Sequence, residues 1–236
     1  MVPKIILPAL NSTGNAFISL LFPNHCLVCN GGEIQSCDPI CSGCFQKLTC
    51  IQLKNRVQEL TIKDDIDVAL SGWDFGEILR PVIHSLKYQE RAKIGKFLGE
   101  KLGERLKSYS FPKIDYLIPV PLHPVKYRDR GFNQAEWIAI GLGNKLGIEV
   151  IPHLMKRVKY TISQTTLNRK ERLENMKLAF RITKNVKEKN IGIVDDVLTT
   201  GSTISSMATV LKDAGAKSIV ALTVATPLEK ANDTHT

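Results

Sequence analysis

Short apolar runs alternate along the chain with longer stretches in which apolar residues recur every three or four positions. A run of about four to eight apolar residues is typical of a buried strand, and the wider spacing is typical of an amphipathic helix. From residue 66 onwards the pattern predicts strands at 66–73, 116–120, 148–151, 191–194 and 218–225, and helices at 76–88, 92–107, 133–146 and 202–214. This alternation indicates an α/β fold with a mostly parallel sheet and helices on its faces.

The first 65 residues have a different pattern. An apolar stretch at 16–22 predicts a short helix, a cysteine-rich segment follows at 24–50, and residues 51–65 form a connector. The chain has 236 residues, or about one and a half average domains. We therefore expect an N-terminal helix with a cysteine-rich module at 1–60, followed by one α/β domain at 61–236.

The composition is that of an ordinary globular chain, with 43% hydrophobic and 23% charged residues, which excludes a mainly disordered protein. No apolar run approaches the roughly 20 residues needed to span a bilayer. The N-terminal stretch also lacks the cleavage pattern of a signal peptide. We therefore expect a cytoplasmic protein without a transmembrane segment.

All six cysteines fall between residues 26 and 50, which fits a metal site better than disulfides spread along a secreted chain. Four of them form two C-x-x-C pairs separated by 11 residues: Cys26, Cys29, Cys41 and Cys44. This spacing is typical of a tetrahedral thiolate site for structural Zn²⁺, which would order a segment too short for its own core. Disulfides and an iron–sulfur cluster are the alternatives. Of the remaining cysteines, Cys37 and Cys50, either suits a buried apolar position, and Cys37 could instead replace one ligand.

The most informative stretch is 191–203, where an apolar run ends in two adjacent carboxylates, Asp195 and Asp196, before a turn and a helix. The unpaired N–H groups and the positive dipole at a helix start form a phosphate site. In this stretch the turn and the helix start consist of small and hydroxyl residues that would line the phosphate site: Thr199, Thr200, Gly201, Ser202 and Thr203. The carboxylates would repel a phosphate unless they bind sugar hydroxyls and help to hold Mg²⁺. The stretch therefore predicts a site for a ribose 5-phosphate; the alternative is a plain strand–turn–helix unit whose acids cap the helix.

This stretch resembles the motif of type I phosphoribosyltransferases that binds 5-phosphoribosyl diphosphate (PRPP). Three further segments narrow the resemblance to one family within this class. They are 118–134, which contains a Pro-Val-Pro-Leu-His run, 157–180, and the opening at 22–29. Together they are similar to the ComF family of competence-related phosphoribosyltransferase-like proteins over nearly the whole chain. The resemblance implies a type I phosphoribosyltransferase fold, PRPP and Mg²⁺ as ligands, and an association with natural transformation.

The resemblance also implies roles for individual residues. It places a pyrophosphate loop after the second strand, formed by Val120, Pro121, Leu122 and His123. The polar, basic stretch 156–177, predicted as a loop with some helix, is similar to the flexible loop that closes over PRPP. The implied catalytic residues are Asp195, Asp196, Arg157 and Arg172. Cations in the closing loop would stabilise the negative charge that grows on departing pyrophosphate. The alternatives are a proline-rigidified turn with a surface histidine and a solvated basic hairpin.

The formal net charge is +9, from 32 basic and 23 acidic side chains. The stretch 156–189 alone carries 11 basic and 3 acidic residues. Together with Lys126, Arg128 and Arg130, it predicts a cationic groove beside the phosphate site that binds single-stranded DNA through its phosphates. A solvated basic face is the alternative.

Two classes of function remain open. The first is a transferase that moves the 5-phosphoribosyl group of PRPP to an acceptor with the help of Mg²⁺. The second is a binding protein that senses PRPP, or that uses the same surface for single-stranded DNA, without catalysis. In either case the resemblance makes the DNA-uptake machinery an expected partner. The sequence has no pattern that identifies the acceptor.

Overall fold

The structure is a computed structural model that describes residues 25–31, 38–87, 92–110, 112–158 and 179–228. The helix predicted at 16–22, Cys37, Arg172 and most of the loop predicted at 156–177 lie outside these residues. The described residues contain all of the predicted strands and the four cysteines of the predicted metal site.

Five parallel strands form the central sheet in the spatial order β1-β7-β6-β2-β3. They are β1 (Val68–Asp74), β2 (Tyr116–Pro119), β3 (Glu149–Val150), β6 (Asn190–Val197) and β7 (Ser218–Thr226). The central strands are apolar and buried, as expected for a parallel sheet covered on both faces. All five predicted strands are confirmed, and their ends differ from the prediction by at most three residues.

Helices pack on both faces of the sheet. In chain order they are α1 (Ser42–Gln46), α2 (Leu79–Leu86), α3 (Ala92–Leu106), α4 (Pro124–Arg130), α5 (Gln134–Leu146) and α6 (Ser202–Asp213). Apolar side chains of α2, α3 and α5 form a first cluster on one face, and those of α6 form a second cluster on the other. The four predicted helices α2, α3, α5 and α6 are confirmed, and the α/β fold class with them.

Two regions differ from the prediction. No helix is predicted at α4, which is capped by His123, has Pro124 as its first residue and is followed by Gly131 with φ 80°. The loop prediction for 156–177 is wrong at its start, because β4 (Met155–Arg157) pairs antiparallel with β5 (Phe180–Ile182). Strands of three residues are too short to show a hydrophobic period in the sequence.

The cysteine-rich segment packs directly on the sheet and on α3. Four of its side chains are buried in the first cluster: Cys26, Ile40, Cys44 and Leu48. The ring of Phe45 meets Trp73 of β1 edge-on at a centroid distance of 5.8 Å, and Phe97 of α3 at 5.7 Å. Cys50 is exposed and forms an isolated backbone bridge with Trp73. The expectation that Cys50 suits a buried apolar position is therefore wrong.

The connector at 51–65 returns the chain to the carboxyl-terminal edge of the sheet. Asn55 Oδ1 accepts the N–H of Ala69, at 3.0 Å, which ties the connector to β1. Further on, the N–H of Ile62 donates to the carbonyl oxygen of Thr200 over 2.9 Å. The connector therefore forms one wall of the turn that follows β6.

Candidate functional site

The two carboxylates of the sequence motif lie near the carboxyl-terminal end of β6. Side chains alternate between the two faces along a strand. Asp195 falls on the face of Ile191 and Ile193, which pack in the second cluster with α6. Asp196 falls on the face of Val194, which packs in the first cluster with α2. Two residues adjacent in sequence therefore have different neighbours.

Asp195 lines an open pocket beside the start of α6. Its Oδ1 accepts the N–H of Asp196 over 2.9 Å. Burial raises the pKa of Asp195 well above its usual range, and the negative charge of Asp196 raises it further. A cation or a set of hydroxyl donors would stabilise the ionised form, so the position favours a ligand that supplies one or both.

Asp196 is almost fully buried, with 6% of its surface exposed. Its Oδ1 accepts the N–H of Val197 over 2.9 Å, and its Oδ2 lies 3.0 Å from the Nζ of Lys87, directly after α2. Within the described ranges, no group donates a well-aligned hydrogen bond to this Oδ2. Lys87 has no signal in the sequence that marks it as a site residue, because it ends an ordinary amphipathic helix pattern and belongs to no motif.

The two carboxylates fit a Mg²⁺-bound ligand. Mg²⁺ prefers oxygen donors and is usually held by one or two carboxylates together with substrate phosphates. Asp196 offers a buried Oδ2 with unused acceptor capacity, and Asp195 offers a carboxyl group in the pocket wall. Asp195 and Asp196 are therefore the residues suited to hold such an ion.

The predicted phosphate turn lies between β6 and α6. Gly201, which has φ 81°, directly precedes the first residue of α6 and has no side chain to cap the helix. The N–H of Ser202 donates to Oγ1 of Thr200 over 3.4 Å, and the following N–H groups of the first turn remain available for an anion. A Cβ at this position would lie 2.4 Å from the carbonyl oxygen of Ile62. The pocket brings Asp195 together with most of the predicted phosphate residues: Thr199, Gly201, Ser202 and Thr203. Thr200 lies beside them, with its Oγ1 3.3 Å from the hydroxyl of Ser202.

The predicted pyrophosphate loop follows β2, which pairs with β6, so it lies at the same edge of the sheet. Two of its four residues offer no free N–H group to a ligand. The N–H of Val120 donates to Val194 over 2.9 Å, and Pro121 has none. Leu122 and His123 are half-buried, and Nδ1 of His123 accepts the N–H of Val125 at the start of α4, at 3.3 Å. Any backbone contact with pyrophosphate therefore falls to these two residues.

The basic residues predicted to bind nucleic acid lie on α4, which follows this loop. The helix has no buried residue. Lys126 and Arg128 are exposed, whereas the guanidinium of Arg130 donates to Oε1 of Gln134. Arg157 lies elsewhere, on β4, with its guanidinium carbon 5.8 Å from the ring centre of Phe180.

The four sulfur atoms of the predicted metal site lie within 4.8 Å of one another. A tetrahedral ion with metal–sulfur bonds of about 2.3 Å requires sulfur–sulfur distances of about 3.8 Å. Backbone N–H groups already point at the sulfurs, as from Cys41 to Cys26 Sγ and from Cys44 to Cys41 Sγ, both over 3.4 Å. The cluster is therefore suited to hold zinc.

The protonation of these thiols depends on their surroundings. Burial raises the pKa of Cys26, but N–H donors from Cys41, Cys29 and Val28 outweigh it and lower the pKa to about 6. Burial and hydrogen bonds with the other thiols raise the pKa of Cys44 to about 12. A bound cation would replace the proton on each sulfur, because thiolates are the metal ligands.

A parallel sheet with an acid pair, a hydroxyl-rich turn and a helix start at its carboxyl-terminal edge defines a type I phosphoribosyltransferase fold. Residues 134–235 match the model of the phosphoribosyl transferase domain. In the described part of the chain, no helix has the length and apolar character needed to cross a membrane.

Three relatives narrow the class. Competence protein F of Haemophilus influenzae is 27% identical over 222 residues, which cover 84% of this chain and 95% of the relative. Competence protein ComFC of Streptococcus pneumoniae is 31% identical over 181 residues, which cover 76% of this chain and 77% of the relative. DNA utilization protein YhgH of Salmonella typhi is 33% identical over 150 residues, 62% of this chain and 66% of the relative. The chain belongs to the ComF family of phosphoribosyltransferase-like proteins.

Proposed function

We propose that the protein binds PRPP together with Mg²⁺ at the carboxyl-terminal edge of its sheet and transfers the 5-phosphoribosyl group to an acceptor. The observation that carries the proposal is the pocket in which the Asp195 carboxyl lies beside the uncapped start of α6. A phosphate suits the helix start, and hydroxyls with a cation suit the carboxylates. A 5-phosphorylated ribose with a diphosphate combines these groups in one molecule.

In this reaction the acceptor atom bonds to C1 of the ribose, and the bond from C1 to the diphosphate oxygen breaks. The electron pair of that bond leaves with the pyrophosphate, and the acceptor loses a proton to water. Mg²⁺ bound to the diphosphate would neutralise part of its charge. The turn Thr199, Thr200, Gly201, Ser202 and Thr203 holds the 5-phosphate, and Asp195 and Asp196 orient the ribose. Leu122 and His123 lie next to the pyrophosphate, with Val120 and Pro121 shaping their loop, and Arg157 and Arg172 supply positive charge.

The test is titration of the protein with PRPP by calorimetry, with and without Mg²⁺, followed by measurement of pyrophosphate release with candidate acceptors. Asp195→Asn with Asp196→Asn should abolish PRPP binding and keep the fold, because both changes conserve side-chain size. Glu149→Gln is the control. Glu149 is an exposed carboxylate on the edge strand β3, where it pairs with Tyr116 at the start of β2. PRPP binding by the double variant as in the parent would refute the assignment.

We also propose that Cys26, Cys29, Cys41 and Cys44 hold one structural Zn²⁺ that orders the cysteine-rich segment at 24–50, within the N-terminal module at 1–60. The four sulfur donors leave no open position for a substrate, which favours a structural role over a catalytic one. Packing of Phe45 on Trp73 and Phe97 would then hold the ordered module on the domain at 61–236.

A second candidate function is binding of single-stranded DNA without transfer chemistry. It is favoured by α4, which exposes Lys126, Arg128 and half of Tyr127 beside the pyrophosphate loop. Together with Arg130, these residues offer cations to phosphates and one ring to a base. The relatives named for competence and for DNA utilization favour a role with incoming DNA in the cytoplasm, beside the DNA-uptake machinery.

A further inference from the structure

Lys87 occupies a fixed position beside the acid pair. It follows α2 directly, and its N–H donates to His84 and Ser85 to close the helix. The helix is anchored by side chains that are at most 1% exposed: Leu79, Val82, Ile83 and Leu86. The backbone of Lys87 is therefore held in place, and its side chain, 34% exposed, reaches Asp196 from the open side.

The ion pair involves the carboxylate oxygen that a metal would need. Oδ1 of Asp196 accepts the backbone N–H of Val197, whereas Oδ2 has the Nζ of Lys87 at 3.0 Å. A divalent cation held directly by Asp196 would bind Oδ2 in preference to Oδ1, because Oδ1 already accepts a hydrogen bond and Oδ2 accepts none from the described residues. The ammonium group and the cation cannot both lie against that oxygen, since like charges at such separations repel strongly in a partly buried site.

We propose that Lys87 is a positioning residue of this site: it holds the Asp196 carboxylate in the free protein and competes with a divalent cation for Oδ2. This inference rests on the proposed function, since it assigns Asp196 to the cation that accompanies PRPP. When the cation binds, the ammonium group swings away from Oδ2 towards the solvent side.

The experiment measures binding of Mn²⁺ alone, with no PRPP, by electron paramagnetic resonance; Mn²⁺ shares the oxygen preference of Mg²⁺. The variant is Lys87→Met, which keeps the length of the side chain and removes its charge. The matched control is Lys145→Met, because Lys145 forms an ion pair of the same 3.0 Å length with Glu104 and is 36% exposed. Both variants lower the net charge equally.

Lys87→Met should bind Mn²⁺ at least about tenfold more tightly than the parent, equivalent to about 1.4 kcal/mol, and Lys145→Met should bind it like the parent. In an Asp196→Asn background, Lys87→Met should have no effect on Mn²⁺ binding. Equal affinities of Lys87→Met and Lys145→Met, or no Mn²⁺ binding by either the parent or Lys87→Met, would overturn the proposal.

Two further measurements keep the outcome clear. Circular dichroism and thermal unfolding of each variant establish that it is folded. Lys87→Arg keeps the positive charge and should bind Mn²⁺ with the parental affinity. This variant tests the proposal even if Lys87→Met is poorly folded. Tight Mn²⁺ binding by Lys87→Arg would overturn the proposal. The Mn²⁺ measurements contain no PRPP. If PRPP failed to bind the parent in a separate titration, that result would therefore count against the proposed function and not against the role of Lys87.

Discussion

Replacement of Gly201 by alanine should destabilise the folded protein for two separable reasons. Gly201 has φ 81°, a left-handed conformation that costs an L-residue about 1–2 kcal/mol. The new Cβ would also lie 2.4 Å from the carbonyl oxygen of Ile62, so backbone must shift, which costs about 1–3 kcal/mol. We therefore expect Gly201→Ala to lower the free energy of unfolding by about 2–5 kcal/mol in all.

Gly131→Ala separates these two effects. Gly131 has φ 80°, but no heavy atom of the described residues lies within 4 Å of a Cβ built there. This variant should lose no more than about 1–2 kcal/mol. Urea unfolding of the parent and both variants gives the comparison. Equal losses in the two variants would refute the close approach of Ile62 to the phosphate turn.

Three further predictions concern metal, pH and DNA. Metal analysis should find one zinc per chain, and Cys26→Ser with Cys44→Ser should remove it together with a folding contribution on the order of 10 kcal/mol; full zinc content in that variant would exclude these ligands. Asp195→Asn should stabilise the ligand-free protein at neutral pH. The folded-state pKa of Asp195 lies above the unfolded value of about 3.9. Below a pH of about 3.9, ionisation of Asp195 therefore does not lower the free energy of unfolding of the parent. As the pH rises towards the folded pKa, this ionisation lowers the free energy of unfolding increasingly. Thermal unfolding should therefore show the gain vanishing in acid, and a gain independent of pH would contradict the burial of a charge. Arg128→Ala with Arg130→Ala should weaken binding of a labelled oligonucleotide and flatten its log–log salt slope by about 1.4, at about 0.7 per lost contact, and PRPP should compete with the oligonucleotide. Lys107→Ala with Lys113→Ala, two exposed lysines before β2, should leave that slope unchanged.

The sheet and the phosphate turn were predictable because their signals are local. A buried strand such as β6 must be apolar over most of its length, and Gly201 is required where the backbone turns left-handed. The start of α4 also has local signals that the prediction overlooked. A capping residue at His123 followed by Pro124, with Gly131 after the last turn, is a recognisable start and stop of a helix.

The partner of Asp196 was not predictable from any window of sequence. Lys87 follows the helix after β1, and β1 is separated from β6 in the sheet by β7, the last strand of the chain. Only this strand order brings α2 to the carboxylate. The same reason explains why the adjacent acids appear equivalent in the sequence, whereas in the fold Asp195 faces α6 and Asp196 faces α2.

The connector shows how the phosphate turn depends on the N-terminal part of the chain. Besides the bond from Ile62 to Thr200, the hydroxyl of Ser205 donates to the carbonyl oxygen of Asp64 over 3.1 Å. The hydroxyl of Thr209 donates to Oδ2 of Asp65 over 2.6 Å. Both hydroxyl groups belong to α6, so the connector is fastened to the helix whose start would receive the phosphate. Without these bonds the turn would face water on that side, and its N–H groups would lose the fixed geometry that makes a helix start an anion site.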